Sequence, residues 1–246
     1  MIRYFSLHSF PRIFFLLIAA LLIQGCASVS IKNTTYGDAS PKHLPERIYV
    51  RKFVAPKLSF HVNRKGKAFN ALVEKERLSL ASDLLIRLTK HIAPAFPLGD
   101  SQEPPVGNYW LITGKFNIVD EGNLLLRACI GFGLGKTTME TQVKITDLSE
   151  KSASPFLTIG TTGGSGIAPG AATAFIPITG VFILSNSLLN AGGSVGGALG
   201  TGISSDSRRT AREIVAALSY YAAQHGMINP TRALHPKRLG EIPEFL

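Results

Sequence analysis

Cysteine is nearly absent from this chain. Its 246 residues hold two, Cys26 and Cys129, which excludes a disulfide framework and any metal site built from several thiolates. Six histidines are present, but His61, His91, His225 and His235 are scattered and no H-E-x-x-H occurs, so no metal-ligand spacing is seen. Acidic residues are scarce, 16 against 26 basic ones. Asp120 and Glu121 come nearest to a carboxylate pair. As neighbours on a strand they would point to opposite faces, and in a turn they would bond adjacent amides. Gly163-Gly164-Ser165-Gly166 lacks the spacing of a nucleophile elbow. No catalytic residue, cofactor or metal is therefore expected, and the chain reads as a non-enzyme.

Glycine is plentiful, and one glycine run invites a nucleotide reading. In Gly131-Phe132-Gly133-Leu134-Gly135-Lys136-Thr137-Thr138 a phosphate-binding loop would need glycine where Ile130 stands. The run also leads into an alternating strand pattern, whereas a phosphate site needs the N-terminus of a helix. A hairpin turn, in which glycine accepts positive φ without steric cost, accounts for it better.

The first residues read as a targeting segment. Arg3 and Arg12 precede an apolar run of ten residues, Ile13 to Leu22, too short to cross a bilayer, which takes about 20. Ile23-Gln24-Gly25-Cys26 closes it and resembles a lipobox. The expectation is a signal peptide over 1–25, cleavage before Cys26 and acylation of that cysteine. Two or more acyl chains make an anchor stable. By resemblance to lipoprotein sorting, Ala27 after the cysteine directs the chain to the outer membrane, in its inner leaflet and facing the periplasm. Residues 26–46, polar over Val29 to Lys42, read as a lipidated tether. The mature chain keeps 24 basic and 16 acidic residues.

Residues 47–228 read as one α+β domain, followed by a tail over 229–246. Strands are expected over Arg47 to Ala55, Tyr109 to Val119, Thr138 to Ile145 and Pro155 to Thr162. Leu78, Ala81, Leu85, Leu88 and Ile92 mark one helical stripe, and Ala211, Ile214, Leu218 and Tyr221 another, which Gly226 would end. Half-buried alternation suggests a mostly antiparallel sheet with the two helices packed on one face, plus a glycine-rich apolar insert. Gly114-Lys115-Phe116, Val119-Asp120-Glu121-Gly122-Asn123, Arg127, Ile130 to Gly135 and the strand Gln142 to Leu148 resemble the bacterial domain-of-unknown-function 4410 family. The resemblance extends over Arg47 to Ile228. Members are typically envelope lipoproteins or secreted proteins, and the resemblance implies no activity.

Two features could make contacts. Arg47, Arg51, Lys52, Lys57, Arg64, Lys65 and Lys67 stand in one stretch without an acidic residue between them. Such a segment suits an anionic envelope surface, an acidic protein face, or simply a solvated strand edge guarded by charge. Nucleic acid is set aside because the expected compartment holds none. The second feature is Ser152 to Ser205, 54 residues without Asp, Glu, Lys or Arg that carry 12 of the 24 glycines. Within it Gly192, Gly196 and Gly200 recur at four-residue steps, a spacing that lets helix backbones approach. Membrane contact, self-association into a homo-oligomer and a surface loop remain open. The chain is thus expected to be an anchored structural or interaction component of the envelope; the alternative is an oligomeric membrane-inserting subunit of a pore or secretion assembly.

Overall fold

The computed structural model describes residues 28–38, 40–122, 137–150, 154–164, 177–178, 181–182 and 203–239. The elements are β1 (Ser28–Tyr36), β2 (Arg47–Arg51), β3 (Phe60–His61), α1 (Gly66–His91), β4 (Ala95–Leu98), β5 (Tyr109–Asp120), β6 (Thr138–Asp147), β7 (Pro155–Gly164) and α2 (Ile203–Gln224). Between the last two lie β8 (Pro177–Ile178) and β9 (Val181–Phe182), which pair with each other.

The α+β class holds, but the sheet is mixed, which corrects the expected mostly antiparallel one. Its order is β1-β7-β6-β5-β2-β4, with β3 added to β5 beyond β2. The pairings β1–β7, β7–β6 and β6–β5 are antiparallel, whereas β5–β2, β5–β3 and β2–β4 are parallel. The physical reason is α1. A crossover that contains a 26-residue helix carries the chain back to the end from which β2 set out, so the strands after it run alongside those before it. Alternating burial reports which face a residue takes and says nothing about the direction of the neighbouring strand. β4 lies at the sheet edge, where Pro97 costs no ladder hydrogen bond.

The antiparallel half follows the sequence closely. Met139, Thr141, Val143 and Ile145 are buried on β6, and Thr141 bonds Thr161 of β7 through their hydroxyls at 2.7 Å. On β5, Trp110, Ile112 and Phe116 are buried in the core. A bulge between Phe116 and Ile118 then shifts the phase, so Ile118 is 37 % exposed and Val119 takes the buried place. A Cβ on Gly114 would sit 2.5 Å from the ring of Phe53. Glycine is what admits that ring, which packs with Phe116 at 6.0 Å.

Two segments read as flanks belong to the fold. Residues 28–36 of the expected tether form β1, paired with β7, with Val29 and Ile31 buried. Part of the expected tail packs too: Leu234 lies against the core, and the Ile31 amide donates to the Lys237 carbonyl at 2.6 Å.

Both helices feed one core with Trp110, Phe116 and Phe156. On α1 the stripe is rotated from the expected one: Leu72, Glu76, Leu80, Ala81, Leu84 and Leu88 are buried, whereas Leu78 is 52 % exposed. On α2, Ala211, Ile214, Leu218 and Tyr221 are all buried as expected. Gly226 ends that helix at φ 70°. The Met227 amide bonds the Ala222 carbonyl at 2.8 Å and the Gly226 amide bonds Ala223 at 3.0 Å, the paired closure that left-handed glycine allows.

Candidate functional site

Strand directions bring several chain crossings to one end of the sheet. β5 finishes there, with Asp120 opposite Thr138 at the start of β6 and opposite His61 of β3. β7 finishes there as well, since Gly163 is opposite Met139 and Gly164 opposite Ser28, the first residue of β1. Helix α1 begins five residues beyond His61. Helix α2 begins there too, because Asp206 accepts from the hydroxyl of Thr137 just before β6.

The turn at this end is set by the motif residues. Asp120 Oδ1 accepts from the Gly122 amide at 2.7 Å, and Gly122 has φ 65°, a conformation in which glycine meets no penalty. Glu121 pairs with Arg64 at 2.6 Å, which ties the β5 turn to the link between β3 and α1. The adjacent carboxylates thus serve separate contacts, as their spacing implies.

Fold and sequence differ on the basic segment. No acidic residue stands between its seven cations along the chain, yet folding gives Lys52 and Arg64 an acidic partner each. Lys52 pairs with Glu74 at 2.8 Å, and Arg77 bridges Glu74 at 2.9 Å and Asp100 at 2.8 Å. The Lys52 hydrogen bond holds the Glu74 carboxyl below the usual carboxylate range, and Arg77 does the same for Asp100. Arg51 donates to the Gln102 carbonyl at 2.5 Å, and the Arg47 guanidinium lies 5.6 Å from the Phe96 ring centroid. Arg47 and Arg51 of β2 and Lys52 just after it therefore make contacts within the fold. Lys57, Lys65 and Lys67 are exposed and have no ion pair among the described residues.

The sequence reading missed a buried polar cluster where the helices meet. Glu76 of α1 is fully buried, accepting from Ser204 Oγ at 2.9 Å and Ser207 Oγ at 2.8 Å in the first turns of α2. Burial pushes its pKa up, against the opposing pull of those hydroxyls and of Lys75 and Arg64. Asp206, also fully buried, bonds Thr137 and pairs with Arg209 at 3.0 Å. A signal was available: Glu76 sits between Leu72 and Leu80 at four-residue steps, a carboxylate on the apolar face. These groups satisfy one another, so the cluster fixes how the helices meet.

Cys26, the expected contact residues Gly192, Gly196 and Gly200, Cys129 and the run from Gly131 to Lys136 lie outside the described residues. Among the described residues no helix is long and apolar enough to cross a membrane, and no group of three or more His, Cys, Asp or Glu could hold a metal ion.

No curated protein matches the chain. Among solved structures, it is similar to the PelC dodecamer from Paraburkholderia phytofirmans, with 11 % identity over 56 % of this chain and 83 % of that one, at a TM-score of 0.34. It is also similar to the hypothetical protein CT253 from Chlamydia trachomatis, with 9 % identity over 73 % of this chain and 99 % of that one, at a TM-score of 0.44. Likenesses this distant say nothing about assembly or activity. The family model described as Domain of unknown function (DUF4410) matches residues 48–179, a span that takes in β2 from its second residue, β3 to β7, α1 and the Asp120-Glu121-Gly122 turn. The chain belongs to that family.

Proposed function

We propose that this protein is a lipid-anchored component of the bacterial cell envelope, acylated on Cys26, facing the periplasm from the outer membrane, with a structural or interaction role. The observation that carries the reading is the position of β1. Its first residue, Ser28, is two residues after Cys26 and opposite Gly164. Two residues span at most about 7 Å, so an acyl group on Cys26 would hold this end of the sheet close to the bilayer. The test is Cys26→Ser in the full chain, followed by acyl labelling and membrane fractionation. Loss of label and accumulation of uncleaved precursor support the anchor; unchanged labelling refutes it.

A second reading, an oligomeric membrane-inserting subunit, draws on one observation. The uncharged stretch leaves β7 at Gly164 and returns at Ile203, both at the end where the anchor would be. Size measurement in detergent separates the two readings: a monomer or dimer favours the first, and a ring of many copies favours the second.

A further inference from the structure

β4 covers only the first stretch of the parallel edge, pairing with Ile48 to Arg51. Beyond it, the chain from Lys52 to Lys65 is the outermost strand path, touching β5 through the bridge Val54–Lys115 and through β3. This edge, on which no strand pairs among the described residues, has an unusual composition. Leu58 is 93 % exposed and Val54 61 % exposed, although solvent-facing edges are ordinarily polar. Lys57 adjoins Leu58, and Lys65 and Lys67 follow at the end of the sheet, all three exposed. The acidic groups nearby are engaged: Glu121 with Arg64, and Asp120 with the Gly122 amide. Helix α1 has no acidic residue in its first turn, and its Glu74 is engaged by Lys52 and Arg77.

Exposed apolar side chains, flanked by cations without an ion pair among the described residues, match the headgroup layer of an anionic bilayer. The apolar groups enter the acyl boundary while the ammonium groups stay among the phosphates. We propose that the edge from Val54 to Lys67 docks on anionic phospholipid, with Leu58 inserted and Lys57, Lys65 and Lys67 against the headgroups. This deepens the envelope-anchor reading and rests on it for the bilayer's presence. It orients the domain with the starts of α1 and α2 toward the membrane. The ends of both helices and the residues after β1 then face away.

The test is binding of the chain from residue 26 onward, carrying Cys26→Ser, to vesicles of phosphatidylglycerol with phosphatidylethanolamine and to vesicles of phosphatidylcholine. The expected result is binding to the anionic vesicles alone, weakened by salt. Lys57→Gln, Lys65→Gln and Lys67→Gln together should lower the partition coefficient roughly a hundredfold, about fivefold per lysine. Leu58→Asn should lower it about tenfold with Tm unchanged, since that side chain is 93 % exposed. Lys42→Gln, Lys90→Gln and Arg232→Gln together, exposed cations at the opposite end, should leave binding as it was. Equal binding to both vesicle types overturns the proposal, as does equal loss in the two triple variants or no loss with Leu58→Asn. Acyl labelling of the full chain reads the anchor alone and vesicle binding of the Cys26→Ser chain reads the edge alone, so the two failures are distinguishable.

Discussion

Replacing Glu76 with Gln tests whether the buried carboxylate costs this fold stability. The side chain is fully buried and its pKa is raised above the usual value of 4.5, chiefly by burial. Between that value and the raised one, the native state holds a proton that the unfolded chain has released. Stability must therefore fall as pH rises through that window, and the loss is complete above it. Each unit of upward shift is worth about 1.4 kcal/mol. Gln keeps the shape and both partners, accepting from one serine hydroxyl and donating to the other. The expected outcome is a Glu76→Gln variant more stable than wild type at pH 7, with the advantage vanishing below about pH 4.5. In a chain of this size each 1 kcal/mol moves Tm by about 2–4 °C. Thermal unfolding of both proteins from pH 4 to 8 is the assay, and the difference between them removes every other titrating group. A variant less stable at pH 7 by about 1.5–3 kcal/mol would show that the charged hydrogen bonds outweigh burial, and would refute the reasoning.

Gly114→Val should lower stability by about 1–3 kcal/mol through collision with the Phe53 ring, since even a methyl there falls 2.5 Å from it; unchanged urea unfolding would contradict the close approach. Arg64→Ala and Glu121→Ala, taken through a double-mutant cycle, should couple by no more than about 1 kcal/mol, because the pair is 34 % and 24 % exposed. Deleting residues 171–202 should leave a cooperatively folding domain, since the sheet and both helices pack through Leu84, Trp110, Phe116, Val143 and Leu218 and loop closure depends weakly on length. A deletion that fails to unfold cooperatively would place part of the stretch in the core. If Gly192, Gly196 and Gly200 form a packed face, Gly196→Leu should reduce oligomer size in detergent with Tm unchanged; retained size would exclude that face.

What could be read from the sequence follows from which physical signals are local. The alternation on β6 and the α2 stripe were legible because each element presents one unambiguous apolar face to the core. Helix α1 was not, since Leu72, Val73, Leu78, Leu80, Leu84, Leu85, Ile86 and Leu88 surround it. Several stripes fit such a pattern, and packing against both α2 and the sheet selects one. β1 was hidden because its period-two pair, Val29 and Ile31, stands among Ser, Asn and Thr, which also make linkers. The parallel pairings were beyond any local signal: strand direction is settled by where a crossover delivers the chain.

The same distinction governs the basic segment. Seven cations in sequence look like one surface, but α1 carries Glu74 against Lys52, and the link after β4 carries Asp100 against Arg77. Lys52 is thereby neutralised, while Arg51 is held by the Gln102 carbonyl and Arg47 by the Phe96 ring, so charge counted along the chain overstates what a partner would meet. The residue count that bears on binding is the one left after folding: Lys57, Lys65 and Lys67, with Leu58 standing free beside the first. Sequence could not separate these groups because their neutralising partners come from α1 and the loops, tens of residues away. It could supply the composition, and the fold decides which part of it remains available to a bilayer.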